Sequence, residues 1–175
     1  LIGQYLVSKV DSPYRLVMTE PFPVNDLSTT MGWWVGSNWF DVGTDDNDEI
    51  TGFGEGSDRL LIFKLMSLWY YTGSQLRQVK DSPGTSSNRS IKNKGGFTYY
   101  FHGSHPLKTG IYRYDGVQSI LISRSIDPFI RGMSASNFPL VVTWEEGYDL
   151  RFFLGDLTNT NASISMTNAV ATLNT

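Results

Sequence analysis

The amino-acid sequence predicts an all-β protein, specifically a jelly-roll β-sandwich with long loops and an extended C-terminal tail. Five or six short segments are rich in aromatic and β-branched residues, and residues 97–102 alternate with the period of two that a strand requires. Long stretches rich in glycine, serine, asparagine and aspartate separate these segments. No hydrophobic pattern predicts a helix of normal length, so short strands joined by long loops favour a sandwich.

The first forty residues give weak signals. Residues 4–10 fit either a short amphipathic helix or a strand, and residues 14–18 alternate weakly. Pro21 and Pro23 impose extended backbone and exclude a helix at that point. Residues 31–40 are rich in tryptophan but interrupted by glycine, so a bent strand or an aromatic loop is expected there.

The middle of the chain contains the longest apolar segment. Residues 41–58 are acidic and rich in glycine, which predicts an exposed loop. We expect a helical turn at residues 58–62, followed by one strand that continues to about Val79. Residues 80–96 contain mainly serine, glycine, asparagine and lysine and are expected to form a loop.

The remaining strands are predicted at residues 117–125, 140–144 and 149–154. From Asn159 onward the residues are small and polar, which is typical of an arm or tail. The predicted organisation is one jelly-roll-like domain over residues 1–158 and an arm over residues 159–175. The chain begins with Leu1, which suggests a processed or partial polypeptide.

Composition excludes several functional classes. The chain of 175 residues has no cysteine and only two histidines, which excludes a disulfide scaffold and a Cys- or His-rich metal site. Its net charge is −3, whereas nucleic-acid binding normally needs a basic face. No apolar run approaches the roughly 18 residues of a membrane span. Low charge (18%) with many aromatics (14%) is typical of a protein that buries surface against neighbours.

Three segments, taken in order, resemble a known family. Residues 69–77 form an aromatic strand followed by Gly-Ser, residues 120–130 lead into Asp-Pro-Phe-Ile, and residues 145–155 are an acidic turn feeding an aromatic strand that ends in glycine. This order resembles the C-terminal half of the jelly-roll capsid proteins of picorna-like viruses, over residues 60–157. Thr72 stands where that family usually has an arginine, and residues 1–59 provide fewer early strands than a complete subunit has.

The resemblance implies a structural capsid subunit of a non-enveloped icosahedral RNA virus. Such a subunit assembles with identical and related subunits around the genome, and genomic RNA and a host receptor are further candidate partners. The location implied is the virion, with host cytoplasm during assembly. The resemblance implies no enzymatic activity, no catalytic residues and no cofactor or metal.

A carbohydrate-binding β-sandwich module is the alternative function. Trp33, Trp34 and Trp39, with Phe40 beside them, contain the kind of rings on which sugars stack. The same residues are equally typical of a core or a subunit interface, because aromatic side chains dominate both.

Two further clusters have candidate chemistry. Ser104 lies between His102 and His105, but a hydrolase would also need an oriented base and an acidic partner, so a polar turn is the simpler interpretation. Asp41 and residues 45–49 concentrate oxygen ligands that could bind calcium between subunits, although the EF-hand spacing is absent. A solvated acidic loop is the competing interpretation.

A mildly basic loop and the last predicted strand complete the predictions. Lys80, Arg89, Lys92 and Lys94 could contact RNA or an acidic neighbour, or be merely solvated. In the last strand, the period of two puts Phe152 and Leu154 on one face, and we expect Phe152 in the core.

Overall fold

The computed structural model describes residues 7–12, 15–18, 39–43, 46–56, 58–104, 108–159 and 164–174. These residues form 14 strands in four antiparallel sheets. The all-β class predicted from the sequence is therefore confirmed.

The four sheets follow one another along the chain. The first contains β1 (Val7–Ser12), β2 (Arg15–Met18) and β3 (Trp39–Asp41). The second contains β4 (Ile50–Glu55), β5 (Leu60–Lys64), β6 (Leu68–Tyr71) and β7 (Leu76–Gln78). The third contains β8 (Lys92–Lys94), β9 (Phe97–His102), β10 (Gly110–Tyr114) and β11 (Ser119–Leu121). The fourth contains β12 (Val142–Glu146), β13 (Asp149–Asn159) and β14 (Ile164–Asn174).

Helical structure in the described residues is limited to short turns. These are the helix α1 (Asp127–Ile130) and the 3₁₀ turns Asn88–Ser90, Arg124–Ile126 and Ala135–Leu140. The longest has six residues, so no described helix is long and apolar enough to cross a membrane.

Every strand in the described sheets pairs with the strand next to it in the chain. The strand orders are β1-β2-β3, β4-β5-β6-β7, β11-β10-β9-β8 and β12-β13-β14. A jelly roll is built from Greek keys, in which a strand returns by a long connection to pair with one distant in sequence. The predicted jelly-roll arrangement is therefore not confirmed, because the described sheets are successive meanders.

The second sheet is buried on both faces. On one face, Ile62 and Tyr71 pack with Val42 and with Phe40 of the first sheet, whose ring stacks on that of Tyr71 at 4.9 Å between centroids. On the other face, Phe63 contacts Tyr100 of the third sheet edge-on, with 4.8 Å between ring centroids. Because successive residues of a strand point to opposite faces, the apolar run of β5 supplies both contacts.

The third sheet is also covered on both faces. Tyr100 and Tyr112 face the second sheet, whereas Phe101 and Ile111 face the fourth. The cluster between the third and fourth sheets is the largest of the buried clusters and includes Phe152, which is fully buried. The second, third and fourth sheets thus stack face to face in chain order.

The predicted faces of the strand at residues 149–154 are confirmed, although β14 follows it and it is not the last strand of the chain. Phe152 and Leu154 are buried on the face toward the third sheet, and Phe153, on the opposite face, is half-buried. The hairpin between β12 and β13 turns at Glu146–Asp149, with Gly147 at a positive φ of 63°. This turn returns the chain as the acidic Glu-Glu-Gly sequence predicts.

The interpretation of residues 58–79 was wrong. No helical turn forms at residues 58–62, because Leu60 already begins β5. The chain reverses twice, after Lys64 and after Tyr71, so the predicted single strand is divided among β5, β6 and β7. The apolar run continues through the first reversal, and this continuity made the three strands resemble one.

Three further expectations are corrected. The predicted exposed loop of residues 41–58 contains β4, and the predicted loop of residues 80–96 contains β8. The predicted tail includes β14, which pairs with β13 along its whole length, from Asn174 opposite Asp149 to Ile164 opposite Asn159. β10 lies in a region where no strand was predicted.

Candidate functional site

The connector between the second and third sheets is a buried polar junction that joins three sheets. Residues 82–85, Ser87 and Ser90 of this connector are buried, although the sequence predicted only a loop there. The backbone N–H of Thr85 donates to the carbonyl oxygen of Lys64 at 2.9 Å, and its hydroxyl donates to the carbonyl oxygen of Phe101 at 2.5 Å. Thr85 therefore links the second sheet to the third.

The same connector reaches the fourth sheet. Ser87 Oγ donates to the carbonyl oxygen of Val141 at 2.7 Å, and Thr143 Oγ1 donates to the carbonyl oxygen of Ser90 at 3.0 Å. These buried polar groups satisfy one another, as burial away from water requires. These hydrogen bonds connect three sheets through one buried segment, so the role of the junction is structural.

The acidic loop holds a buried ammonium group. Lys64 is fully buried, and its Nζ donates to both carboxylate oxygens of Asp46 at 2.5 and 2.6 Å and to the carbonyl oxygen of Val42 at 2.9 Å. The Lys64 ammonium therefore binds the carboxylate of Asp46, one of the residues considered as calcium ligands. No described group of three or more acidic or histidine side chains is arranged to hold a metal; Asp45 lies outside the described residues.

Asp48 in the same loop has a packing role. It is 7% exposed, and its carboxylate accepts hydrogen bonds from the backbone N–H of Met66 at 2.7 Å and from Ser67 Oγ at 2.6 Å. Ser67 Oγ in turn accepts from the indole N–H of Trp69 at 3.0 Å. Two carboxylates of this loop, those of Asp46 and Asp48, are therefore engaged by groups of the second sheet.

The Ser-His cluster is not arranged as a nucleophile and base in the described residues. His102 is fully buried, its Nδ1 donates to the carbonyl oxygen of Gly84 at 3.1 Å, and its ring packs edge-on against Tyr112. Among the described residues Ser104 Oγ has no hydrogen-bond partner, whereas a serine nucleophile needs a hydrogen-bonded base. His105 lies outside the described residues.

The predicted tryptophan platform falls largely outside the described residues. Trp33 and Trp34 are not among them, and for Trp39 only its place at the start of β3 is described. The neighbouring Phe40 packs against Tyr71 in the contact between the first and second sheets. For Phe40, this contact fits the interpretation of aromatic packing within the protein, the alternative to a sugar-stacking surface.

The four basic residues that the sequence grouped in one loop are not all exposed. Lys80 and Arg89 are exposed, whereas Lys92 Nζ lies 3.6 Å from a carboxylate oxygen of Glu145 in the fourth sheet. Lys94 lines a cleft between the third and fourth sheets. Sequence reasoning did not identify Arg113, which lines the same cleft, because it belongs to the strand that was not predicted.

Comparison with known proteins finds no family model that matches this chain and no curated protein with significant similarity to it.

Proposed function

We propose that this chain is a structural subunit that works by assembly, and that its sheets are successive blades of a propeller-like stack. The observation that supports this most directly is the burial of the second and third sheets on both faces. In β-propellers, four-stranded antiparallel sheets follow one another along the chain, and each covers the apolar face of its neighbour. A two-sheet sandwich would bury only one face of each sheet.

The outer face of the fourth sheet is where a neighbouring subunit would bind. Val142, Phe153 and Val170 are register partners on three adjacent strands, so they form one row on the face away from the third sheet. Trp144 lies on the same face, and Val170 is 45% exposed. An apolar row of this kind is stabilised by burial against a further sheet, in the manner of the other contacts in the stack.

The most specific form of the proposal is a capsid subunit of a non-enveloped icosahedral RNA virus. The order of the motifs at residues 69–77, 120–130 and 145–155 supports it, together with the low charge and the many aromatic residues. In this form the subunit assembles with like subunits around the genome in the virion. The assembly role rests on the apolar faces that the described sheets present and does not require a jelly-roll strand order.

The proposal is tested by the oligomeric state of the purified chain. Light scattering after size exclusion, over a range of protein concentrations, is expected to show self-association. The variant Val170→Lys puts a charge in the outer apolar row and should shift the chain to monomer with an unchanged thermal transition. Tyr148→Lys is the matched control, because Tyr148 is 88% exposed at the turn of the neighbouring hairpin.

Electron microscopy of the associated fraction separates the two forms of the proposal. Closed, regular particles would support the capsid form, and small defined oligomers would support assembly without a shell. A native chain that stays monomeric at the highest concentration reached, with a sharp cooperative transition, would overturn both forms.

A further inference from the structure

A cleft of about 470 Å³ opens between the third and fourth sheets. Pockets that bind small molecules have volumes of roughly 300–1,000 Å³, so its size suits a small organic ligand. The residues that matter for its chemistry are Lys94, Phe97, Tyr99, Arg113, Ile122 and Leu173.

The strand register explains why these side chains meet. Lys94 of β8 lies opposite Phe97 of β9, and Tyr99 of β9 lies opposite Arg113 of β10. Opposite residues of antiparallel strands point to the same face, and this face is directed at the fourth sheet. From the fourth sheet, Leu173 of β14 completes the cleft.

Both cationic side chains in the cleft have a buried nitrogen without a hydrogen-bond acceptor. Neither Lys94 Nζ nor Arg113 Nε has a partner among the described residues. The Arg113 guanidinium stacks over the Phe97 ring at 4.6 Å from its centroid, which stabilises the charge only in part. A buried charged donor without an acceptor is costly, so an anionic acceptor bound in the cleft would stabilise both nitrogens.

No lining residue of the cleft supplies that charge. None of the residues that line it is acidic. The nearby Glu145 is engaged with Lys92. Lys92 lies opposite Tyr99 in the register, at the border of the same face.

We propose that this cleft binds a small organic anion, namely a carboxylate attached to a flat aromatic body. Lys94 and Arg113 would donate charge-assisted hydrogen bonds to the carboxylate. The aromatic body would pack against Phe97 and the aliphatic side chains of Ile122 and Leu173. This inference goes beyond the assembly role and does not depend on it.

The test compares two ligands of nearly the same size and shape, of which one is anionic and the other neutral. Binding of 2-naphthoate and of the neutral 2-naphthamide to the full chain is measured by isothermal titration calorimetry. We expect naphthoate to bind at least about tenfold more tightly than the amide, because hydrogen bonds between two charged groups are stronger than those to a neutral group. Arg113→Gln and Lys94→Gln should each abolish that preference while leaving the amide affinity unchanged.

Two further variants keep the result interpretable. Lys94→Arg retains the charge and should retain the preference for naphthoate, and Lys80→Gln removes an exposed lysine elsewhere and should change nothing. Thermal denaturation of each variant identifies any that do not fold. The proposal is overturned if naphthoate binds no better than the amide, if neither ligand binds, or if Lys80→Gln weakens binding as much as Arg113→Gln does.

Discussion

Gly84 passes so close to the backbone of Lys64 that a Cβ atom at position 84 would lie 1.8 Å from the Lys64 carbonyl oxygen. That oxygen accepts a hydrogen bond from the N–H of Thr85, the residue after Gly84, and this bond holds it beside the connector. The connector between the second and third sheets therefore requires glycine at this position for steric reasons, and the buried junction depends on it.

Gly84→Ala should destabilise the fold by about 3 kcal/mol or more, because the added methyl group meets backbone that cannot move without breaking the junction. The measurement is chemical denaturation of the variant and the native chain. Gly95→Ala is the matched control, since Gly95 has a φ of +59° but no atom within 4 Å of its Cβ position. It should cost only about 1 kcal/mol of backbone strain, and equal losses in the two variants would contradict the steric argument.

Phe152→Ala should lower the free energy of unfolding by about 3–5 kcal/mol, because it leaves a cavity in the largest buried cluster. Tyr148→Ala, four residues earlier, removes a ring that is 88% exposed and should change stability by less than about 0.5 kcal/mol. Urea denaturation of both variants measures the difference. A small effect at Phe152 would mean that the third and fourth sheets do not pack as described.

Asp46→Ala should destabilise the chain by about 1.5–3 kcal/mol, because the buried Lys64 ammonium then loses its charged acceptor. Asp58→Ala is the control, because Asp58 pairs with Arg59 at the surface and the loss of such an exposed pair should change stability much less. Replacing Lys64 by methionine in the Asp46→Ala background should recover part of the loss, since no buried charge then remains unpaired.

Calcium and a chelator should both leave the melting temperature of the native chain unchanged, because the Lys64 ammonium already interacts with the Asp46 carboxylate. Differential scanning calorimetry with added calcium and with EDTA tests this directly. A clear rise in melting temperature with calcium would show that the ion displaces the ammonium, and would restore the calcium hypothesis for this loop.

Ser87→Ala should cost about 1–3 kcal/mol, because the buried carbonyl oxygen of Val141 loses its hydrogen bond from Ser87 Oγ. Ser136→Ala removes a hydroxyl from an exposed residue and should have little effect. The two variants are compared by thermal and urea denaturation. Equal stability of both would mean that the polar junction does not hold the fourth sheet to the connector.

The strands that the sequence predicted correctly have a strong local signal. Residues 97–102 and 149–154 alternate in hydrophobicity, and this alternation predicts the strands. In residues 149–154 it also predicts the buried face, whereas both faces of residues 97–102 are buried. β14 has no comparable signal, because its inward residues include Ala169 and Ala171, and most of its other side chains are exposed. It forms a strand because β13 offers it a hydrogen-bonding edge.

What the sequence determined by itself was the β class, the position of the clearest strands and the burial of Phe152. Tertiary structure alone decided which sheets pack against each other. An apolar strand such as β5 has the same sequence of hydrophobic residues whether its sheet belongs to a sandwich or to a stack of sheets. Tertiary structure also decided which cation pairs with the acidic loop, since the ammonium bound to Asp46 belongs to Lys64, 18 positions away in the chain. Lys94 and Arg113 likewise meet only through the pairing of three strands, which no local pattern specifies.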